Sequence, residues 1–322
     1  MNRVICLSLF LSIAALQGPG QGKPAYTWHR TPESLALYRN ISGESGQMVW
    51  QFNFKPGWRT FFHPVYNPDG VLLTAEAPKD HPWHLGLWFC WKYINGLNYW
   101  EYTGDPKNGI SEGKTDIRQM TIRTRGKGSA WIRMKIDYHP WLQSDSVVLS
   151  EVRAIHAGRP QTDGSYCIDY EHIFTAIRDV VLDRTPPQTN AQGLRWGGYA
   201  GLCVRFDQNL SNPSYFSSQS DSMDSGERAP WVAANLKAPG GKTVQMVLFD
   251  HPGNVRFPTP WYVINRPNDR FWYFNAALLY HEPLRLQAGE KMRLKYRVLV
   301  PAKPLMREEI EGRKAGGQEG RK

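Results

Sequence analysis

Cysteine is scarce in this chain, four residues in 322, and one of them, Cys6, lies in the first apolar run. Cys90, Cys167 and Cys203 remain, an odd number, each inside a strand-like apolar stretch where a buried free thiol is expected. That count excludes a small disulfide-stapled fold, and the lack of any Cys-x-x-Cys pair removes a thiolate zinc site. Long apolar runs are also missing. The longest, Val4 to Leu16, is about 13 residues, short of the roughly 20 that cross a bilayer. Signature loops are absent too: there is no Gly-x-Gly-x-x-Gly after a strand, no Gly-x-Ser-x-Gly, no Walker loop and no His-Glu-x-x-His. Helical periodicity is lacking, since no window of about 15 residues combines a 3.6-residue apolar repeat with caps.

What is present at the start reads as an export signal. Met1-Asn2-Arg3 supplies a short positive start, Val4 to Leu16 the apolar segment, and Gly18-Pro19-Gly20 the turn-forming end. The expectation is a signal peptide over residues 1–22, a periplasmic or secreted protein, and no stable membrane anchor after cleavage. The formal net charge of +10 comes from scattered basic residues, with only short mixed patches such as Arg123-Thr124-Arg125-Gly126-Lys127. Without a basic stripe or a recognisable module, nucleic acid is not an expected partner, while attraction to anionic glycans stays open.

The regular signal is a period of two. Trp131 to Tyr138, Ser146 to Arg153, Tyr166 to Ile173, Thr243 to Phe249 and Met292 to Val298 alternate apolar and polar residues, and Asn67-Pro68-Asp69-Gly70, Pro239-Gly240-Gly241 and Ala288-Gly289-Glu290 punctuate them. These patterns predict an all-β fold, a large antiparallel β-sandwich forming a single domain over residues 23–305. The charged, glycine-containing stretch 306–322 is expected to be a disordered tail.

Candidate chemistry concentrates in Asp80-His81-Pro82-Trp83-His84 and the strand that follows. Alternation places Leu85, Leu87, Phe89, Trp91 and Tyr93 on a core face, and His84, Gly86, Trp88, Cys90 and Lys92 on the other, with Gly86 leaving room between His84 and Trp88. His81, His84 and His251 are therefore candidate acid–base groups, with Asp80 to orient an imidazole. Trp88, Lys92, Trp231, Arg228 and His63 are candidate substrate-binding residues, because aromatic faces and polar side chains together suit sugars. His63, His81, His84 and His251 are the candidate ligands should a divalent metal be the cofactor, which the sequence leaves unassigned. The competing expectation is that these histidines are hydrogen-bonded core residues. Asp169 and Glu171 share a strand face and read either as a carboxylate pair for glycoside chemistry or as a solvated face.

The succession Phe62-His63-Pro64, Asp80-His81-Pro82-Trp83-His84-Leu85-Gly86-Leu87-Trp88-Phe89, Asn95-Gly96, Arg228-Ala229-Pro230-Trp231 and Phe249-Asp250-His251-Pro252-Gly253-Asn254 resembles the PmoA-like family of bacterial exported proteins. That family carries the label "methane oxygenase PmoA" and is also catalogued as a domain of unknown function. The chain departs from the family's Asp-His-Pro-His-His-Arg-Gly by Trp83 and Leu85. The resemblance implies an exported β-sandwich with an outline like the supersandwich of galactose-mutarotase-like proteins. It does not carry the oxygenase activity over, since the mature chain has no apolar run long enough to sit in a membrane. The leading expectation is a carbohydrate-active protein acting on a glycan or small sugar as hydrolase, lyase or epimerase. A non-catalytic carbohydrate-binding protein is the alternative, and a metal-dependent oxygenase the third.

Overall fold

The computed structural model describes residues 25–41, 46–57, 59–101, 112–188 and 193–314. The expected signal peptide lies outside the described residues. In chain order the strands are β1 (Tyr26–Arg30), β2 (Ser34–Arg39), β3 (Gln47–Asn53), β4 (Phe61–Val65), β5 (Leu87–Cys90), β6 (Tyr93–Ile94) and β7 (Leu97–Asn98). Then come β8 (Gly113–Arg125), β9 (Ser129–Pro140), β10 (Leu149–Ala157), β11 (Tyr166–Ala176), β12 (Val180–Asp183), β13 (Gly201–Arg205) and β14 (Ser211–Ser217). The last are β15 (Trp231–Lys237), β16 (Thr243–Asp250), β17 (Trp261–Arg266), β18 (Phe271–Ala276), β19 (Leu284–Leu286) and β20 (Lys291–Val300), followed by a helix, α1 (Arg307–Lys314).

These strands build an antiparallel sandwich, as the alternation predicts. Sheet I has the order β1-β2-β3-β4-β5-β13-β18-β17, and sheet II the order β14-β15-β16-β20-β11-β10-β9-β8. A four-stranded sheet, β19-β12-β6-β7, flanks them. Between the two large sheets runs one continuous apolar core, with Trp50, Phe62, Leu87 and Phe89 from sheet I and Ile132, Ile155, Phe174 and Val298 from sheet II. Each such side chain, fully removed from water, contributes about 1.5–3 kcal/mol before the entropy of ordering is counted. The β15–β16 hairpin closes on Gly240 and Gly241, both at positive φ (87° and 85°), a conformation glycine adopts without a Cβ clash.

The core also holds a sealed polar cluster. Glu151 Oε1 accepts hydrogen bonds from Arg153 Nε (2.6 Å) and His172 Nδ1 (2.7 Å), Oε2 accepts from Arg153 Nη2 (2.9 Å) and from the Tyr138 hydroxyl, and Arg153 Nη1 donates to Thr60 Oγ1 (3.1 Å). Burial alone would raise Glu151, but the Arg153 charge and the His172 bond hold its carboxyl well below the usual range. A cavity of about 20 Å³, room for a single water, adjoins Arg153, Thr60 and Tyr138.

Residues 307–314, expected to belong to a disordered tail, form α1 instead. Ile310 of α1 is fully buried against Trp231, Phe249 and Leu299 on the outer face of sheet II, Trp231 Nε1 donates to Glu311 Oε1 (2.6 Å), and Arg307 Nε donates to the Ser217 carbonyl (3.0 Å). One apolar residue docked into a prepared patch fixes a helix that charge alternation alone reads as solvated. Residues 315–322 lie outside the described residues.

Candidate functional site

Sheet I has a second apolar layer on the face turned away from sheet II. Phe61, Leu85, Trp88, Cys90, Trp100, Cys203, Phe271 and Tyr273 form it, with Trp83 and Tyr199 packed on its margin. The faces assigned from alternation hold from Leu87 to Trp91: Leu87, Phe89 and Trp91 join the central core, Trp88 and Cys90 the outer layer. Leu85 falls on the outer side instead, because Gly86 takes a φ of +71° and turns the chain. The glycine does not open a gap between His84 and Trp88. A Cβ there would lie 2.5 Å from the Phe62 carbonyl oxygen, so the residue permits close backbone approach.

At the margin of this layer, Asp80 Oδ2 accepts a hydrogen bond from His81 Nδ1 (2.8 Å) and another from Arg205 Nη2 (2.8 Å). The His81 and Asp80 side chains are 28% and 30% exposed, whereas Arg205, at the end of β13, is fully buried. The His81 ring stacks on Phe271 (4.7 Å, 19°) and on His84 (4.7 Å, 28°). The guanidinium of Arg205 lies 3.7 Å from the Phe271 ring centre and that of Arg266 4.5 Å. A charged group of this kind over an aromatic face is held by the ring's quadrupole.

The electrostatics follow from this arrangement. Burial would raise Asp80, but hydrogen bonds from His81 and Arg205, with the Arg205 charge, outweigh it and hold the carboxyl below its ordinary value. Burial lowers His81, with Asp80 opposing, so the imidazole is neutral near pH 7. With Nδ1–H given to Asp80, its Nε2 carries the free lone pair. Arg205 is lowered to about 10 by burial despite its carboxylate partner. His84 is buried, its pKa well below the ordinary value through burial and then the nearby His81 and Arg205, and its Nδ1 has no hydrogen-bond partner. Nε and Nη1 of Arg205 are likewise buried without partners. The outer layer of sheet I thus keeps polar atoms in reserve directly beneath a half-buried imidazole.

Residues 43–314 match a family described as a family of unknown function, DUF6807. The chain belongs to that family. No curated protein matches this DUF6807 chain. Among solved structures it is similar to a polysaccharide lyase, at 11% identity and a TM-score of 0.36 over 88% of this chain and 34% of that one. It is also similar to the GH36 α-galactosidase AgaA from Geobacillus stearothermophilus, at 10% identity and a TM-score of 0.35 over 85% and 40%. The galactosidase domain of the α-galactosidase–sucrose kinase AgaSK gives 9% identity and a TM-score of 0.35 over 86% and 40%. The DUF6807 chain spans about a third to two fifths of the length of those proteins.

The remaining candidates of the DUF6807 chain are placed elsewhere or sealed. Trp88 is fully buried, its ring hemmed by His84 (5.2 Å), Trp100 (5.8 Å) and Tyr273 (6.1 Å), so it is floor and not a sugar platform. Lys92 is buried and clasped by both oxygens of Glu101 (2.6 and 2.5 Å), a closed ion pair with no donor directed at a ligand from outside. His63 lies on β4, bonded through Nδ1 to Thr74 Oγ1 (3.0 Å), and burial lowers its pKa to about 4. Trp231 is buried under α1 on sheet II. Arg228 donates to the carbonyls of Arg256 (3.0 Å) and Pro258 (2.9 Å), bracing a loop. His251 follows β16 of sheet II, its Nδ1 accepting from Gly253 N (2.9 Å). The four histidines therefore do not converge: His81 and His84 stack, His63 is engaged with Thr74, and His251 belongs to the other sheet. Among the described residues no three His, Cys, Asp or Glu are placed to hold a metal ion.

Asp169 and Glu171 are tied to β20, Asp169 by Arg297 (2.6 and 2.8 Å) and Glu171 by Arg293 and Lys295, which makes them a charged sheet face. Cys90, Cys167 and Cys203 are free thiols as expected, with Cys90 and Cys203 buried and Cys167 only partly so. Arg205 and Arg266 are the site residues that the sequence reading misses. For Arg205 a signal exists, a lone charge in the apolar run Leu202-Cys203-Val204-Arg205-Phe206, where an arginine must have a partner to be buried.

Proposed function

We propose that this DUF6807 chain is a carbohydrate-active protein in which His81, oriented by Asp80 and backed by Arg205, exchanges a proton with a bound sugar. The observation that carries the reading is the carboxylate-held imidazole at the surface of an otherwise aromatic layer. Asp80 fixes the tautomer, burial keeps the ring neutral, and Nε2 is the one basic atom left for a ligand. Phe271 holds the ring plane from one side and Arg205 fixes Asp80 from behind. The partly exposed Trp83 (ring centre 5.4 Å from that of His81) and the exposed Arg266 supply an apolar and a cationic flank for a sugar. His84, buried and unpartnered at Nδ1, serves as a positioning residue under His81.

Proton transfer of this kind serves hydrolase, lyase and epimerase chemistry alike. The donor set does not fit a metal, because the histidines that would have to converge are divided between two sheets, and no step is routed through one. The test is turnover of a panel of plant, algal and host glycans and keto-sugars by wild type, His81→Ala and His84→Ala. Positioned acid–base catalysis contributes about 10²–10⁴-fold, so His81→Ala is expected to lose that much, with a smaller loss for His84→Ala. Equal turnover by wild type and His81→Ala, or no turnover by either, sinks the proton-transfer role. Glycan affinity that survives in His81→Ala with no wild-type turnover points instead to a non-catalytic binding protein.

A further inference from the structure

Sheet II presents two unlike halves on its outer face. The half made by β15, β16 and the end of β20 is apolar and covered by α1. The half made by β8, β9, β10 and β11 is bare, and its registers can be read across the sheet. Arg123, Trp131, His156, Asp169 and Arg297 form one cross-strand row, Thr121, Arg133, Ala154, Glu171 and Lys295 the next, and Gln119, Lys135, Val152, Ile173 and Arg293 the third.

The cations without an ion-pair partner on this surface lie on β8 and β9, while the β11 border carries the carboxylates of Asp169 and Glu171. Arg123, Arg133 and Lys135 have no carboxylate partner among the described residues, and Arg125 instead packs over the Trp131 ring (5.3 Å). Beyond β10, the cations of β20 are drawn toward β11 by Asp169 and Glu171. Between β9 and β11, β10 offers the short Ser150, Val152 and Ala154, with His156, stacked on Trp131, at one end. The low strip from β9 to β11 is about 10 Å wide at a strand spacing of roughly 4.8 Å.

We infer that this strip binds a carboxylate-bearing polysaccharide laid along β10 against the unpaired cations of β8 and β9, with the β11–β20 ion pairs on its far side. A strand places Arg133 and Lys135 about 7 Å apart, a sparse spacing that suits one charge per sugar. Duplex nucleic acid, with one charge per roughly 1.7 Å of axis, would call for denser cations. Single strands are held by stacking on free aromatic faces, but Trp131, though 39% exposed, is stacked by His156 (4.6 Å, 21°) and capped by Arg125. Arginine predominates among the unpaired cations, and its planar fork matches a carboxylate.

This surface is independent of the His81 site on sheet I, and the experiment keeps the two apart. Gel retardation is measured in polygalacturonate, dextran sulfate and poly(U) at matched charge, and in neutral dextran, for wild type, R133E/K135E, the exposed control K55E, and His81→Ala. Polygalacturonate is expected to retard wild type, K55E and His81→Ala alike, neutral dextran none of them, and the apparent Kd of R133E/K135E to rise about tenfold or more at low salt. Circular dichroism verifies folding, and R133Q/K135Q replaces the reversal should it fail to fold. Equal retardation of R133E/K135E and wild type, loss of binding in His81→Ala, tighter binding of dextran sulfate or poly(U), or no binding to polygalacturonate overturns the inference.

Discussion

The molecule contains the same polar device twice. In the core, Glu151 joins His172 and Arg153; on the outer layer of sheet I, Asp80 joins His81 and Arg205. Both carboxylates accept from the histidine's Nδ1 and from a guanidinium. They differ in closure. Glu151 and His172 are fully buried, and both oxygens of the carboxylate are bonded, including one to the Tyr138 hydroxyl, although His172 Nε2 is buried without a partner. Asp80 and His81 are 30% and 28% exposed, and unpartnered nitrogens of His84 and Arg205 lie beneath them. A network whose carboxylate is fully bonded and closed to solvent specifies a core, while one opened to solvent can meet a ligand.

The largest expected effect breaks the sealed copy. Glu151→Ala leaves Arg153 charged and buried with only Thr60 Oγ1 among its present side-chain partners, and removing one member of a buried ion pair costs about 3–5 kcal/mol. Urea unfolding should show that loss as a lower midpoint with an unchanged slope. A change below about 1 kcal/mol would mean that the core relaxes around Arg153 and that closure is not what distinguishes the two copies.

A second test uses a histidine without a close carboxylate. His63 has Glu76 only at 4.0 Å, and burial lowers its pKa to about 4 from an ordinary 6.5. The folded state then binds fewer protons than the unfolded one between those values, so stability is full above about pH 6.5 and declines as pH falls toward 4. The His63 share is at most about 3 kcal/mol. Glu151, depressed in the fold, adds its loss only at lower pH, beginning under the ordinary value of 4.5. His63→Gln should flatten the upper part of the curve and leave the lower part steep; a curve unchanged between pH 4 and 6.5 would assign that slope to His84, His172 and the other lowered histidines.

Much of this comparison is legible in the sequence, and the illegible parts have physical reasons. A period of two over β9, β10, β11 and β20 is enough to predict the antiparallel sandwich, because one face of each strand must be buried. Asp80 and His81 are adjacent in the chain, so their pairing is open to a local reading. Arg205 and Phe271 reach the same place through the sheet order β5-β13-β18, which alternation does not encode. Trp88 and Lys92 mislead because alternation assigns a face without saying what covers it: here a second aromatic layer and Glu101 do so. Trp231 and His251 mislead because residues that look alike in their flanking prolines fall on different sheets.

The smallest effect on stability should come from the open copy, and it sharpens the contrast most. Asp80→Asn keeps an oxygen for Arg205 and removes a partly exposed charge, so unfolding should change by about 1 kcal/mol. Activity should change far more, because the amide has lost the carboxylate that secures His81 in the tautomer with a free Nε2. The pH profile supplies the independent readout. The neutral imidazole is the proton acceptor, so turnover is full above the His81 pKa and lost as pH falls through it. Asp80 opposes the lowering of that pKa, hence Asp80→Asn should move the acid limb to lower pH while reducing the plateau. A stability loss as large as that of Glu151→Ala with an unmoved acid limb would make Asp80 a second structural carboxylate, and the open triad only a less buried copy of the sealed one.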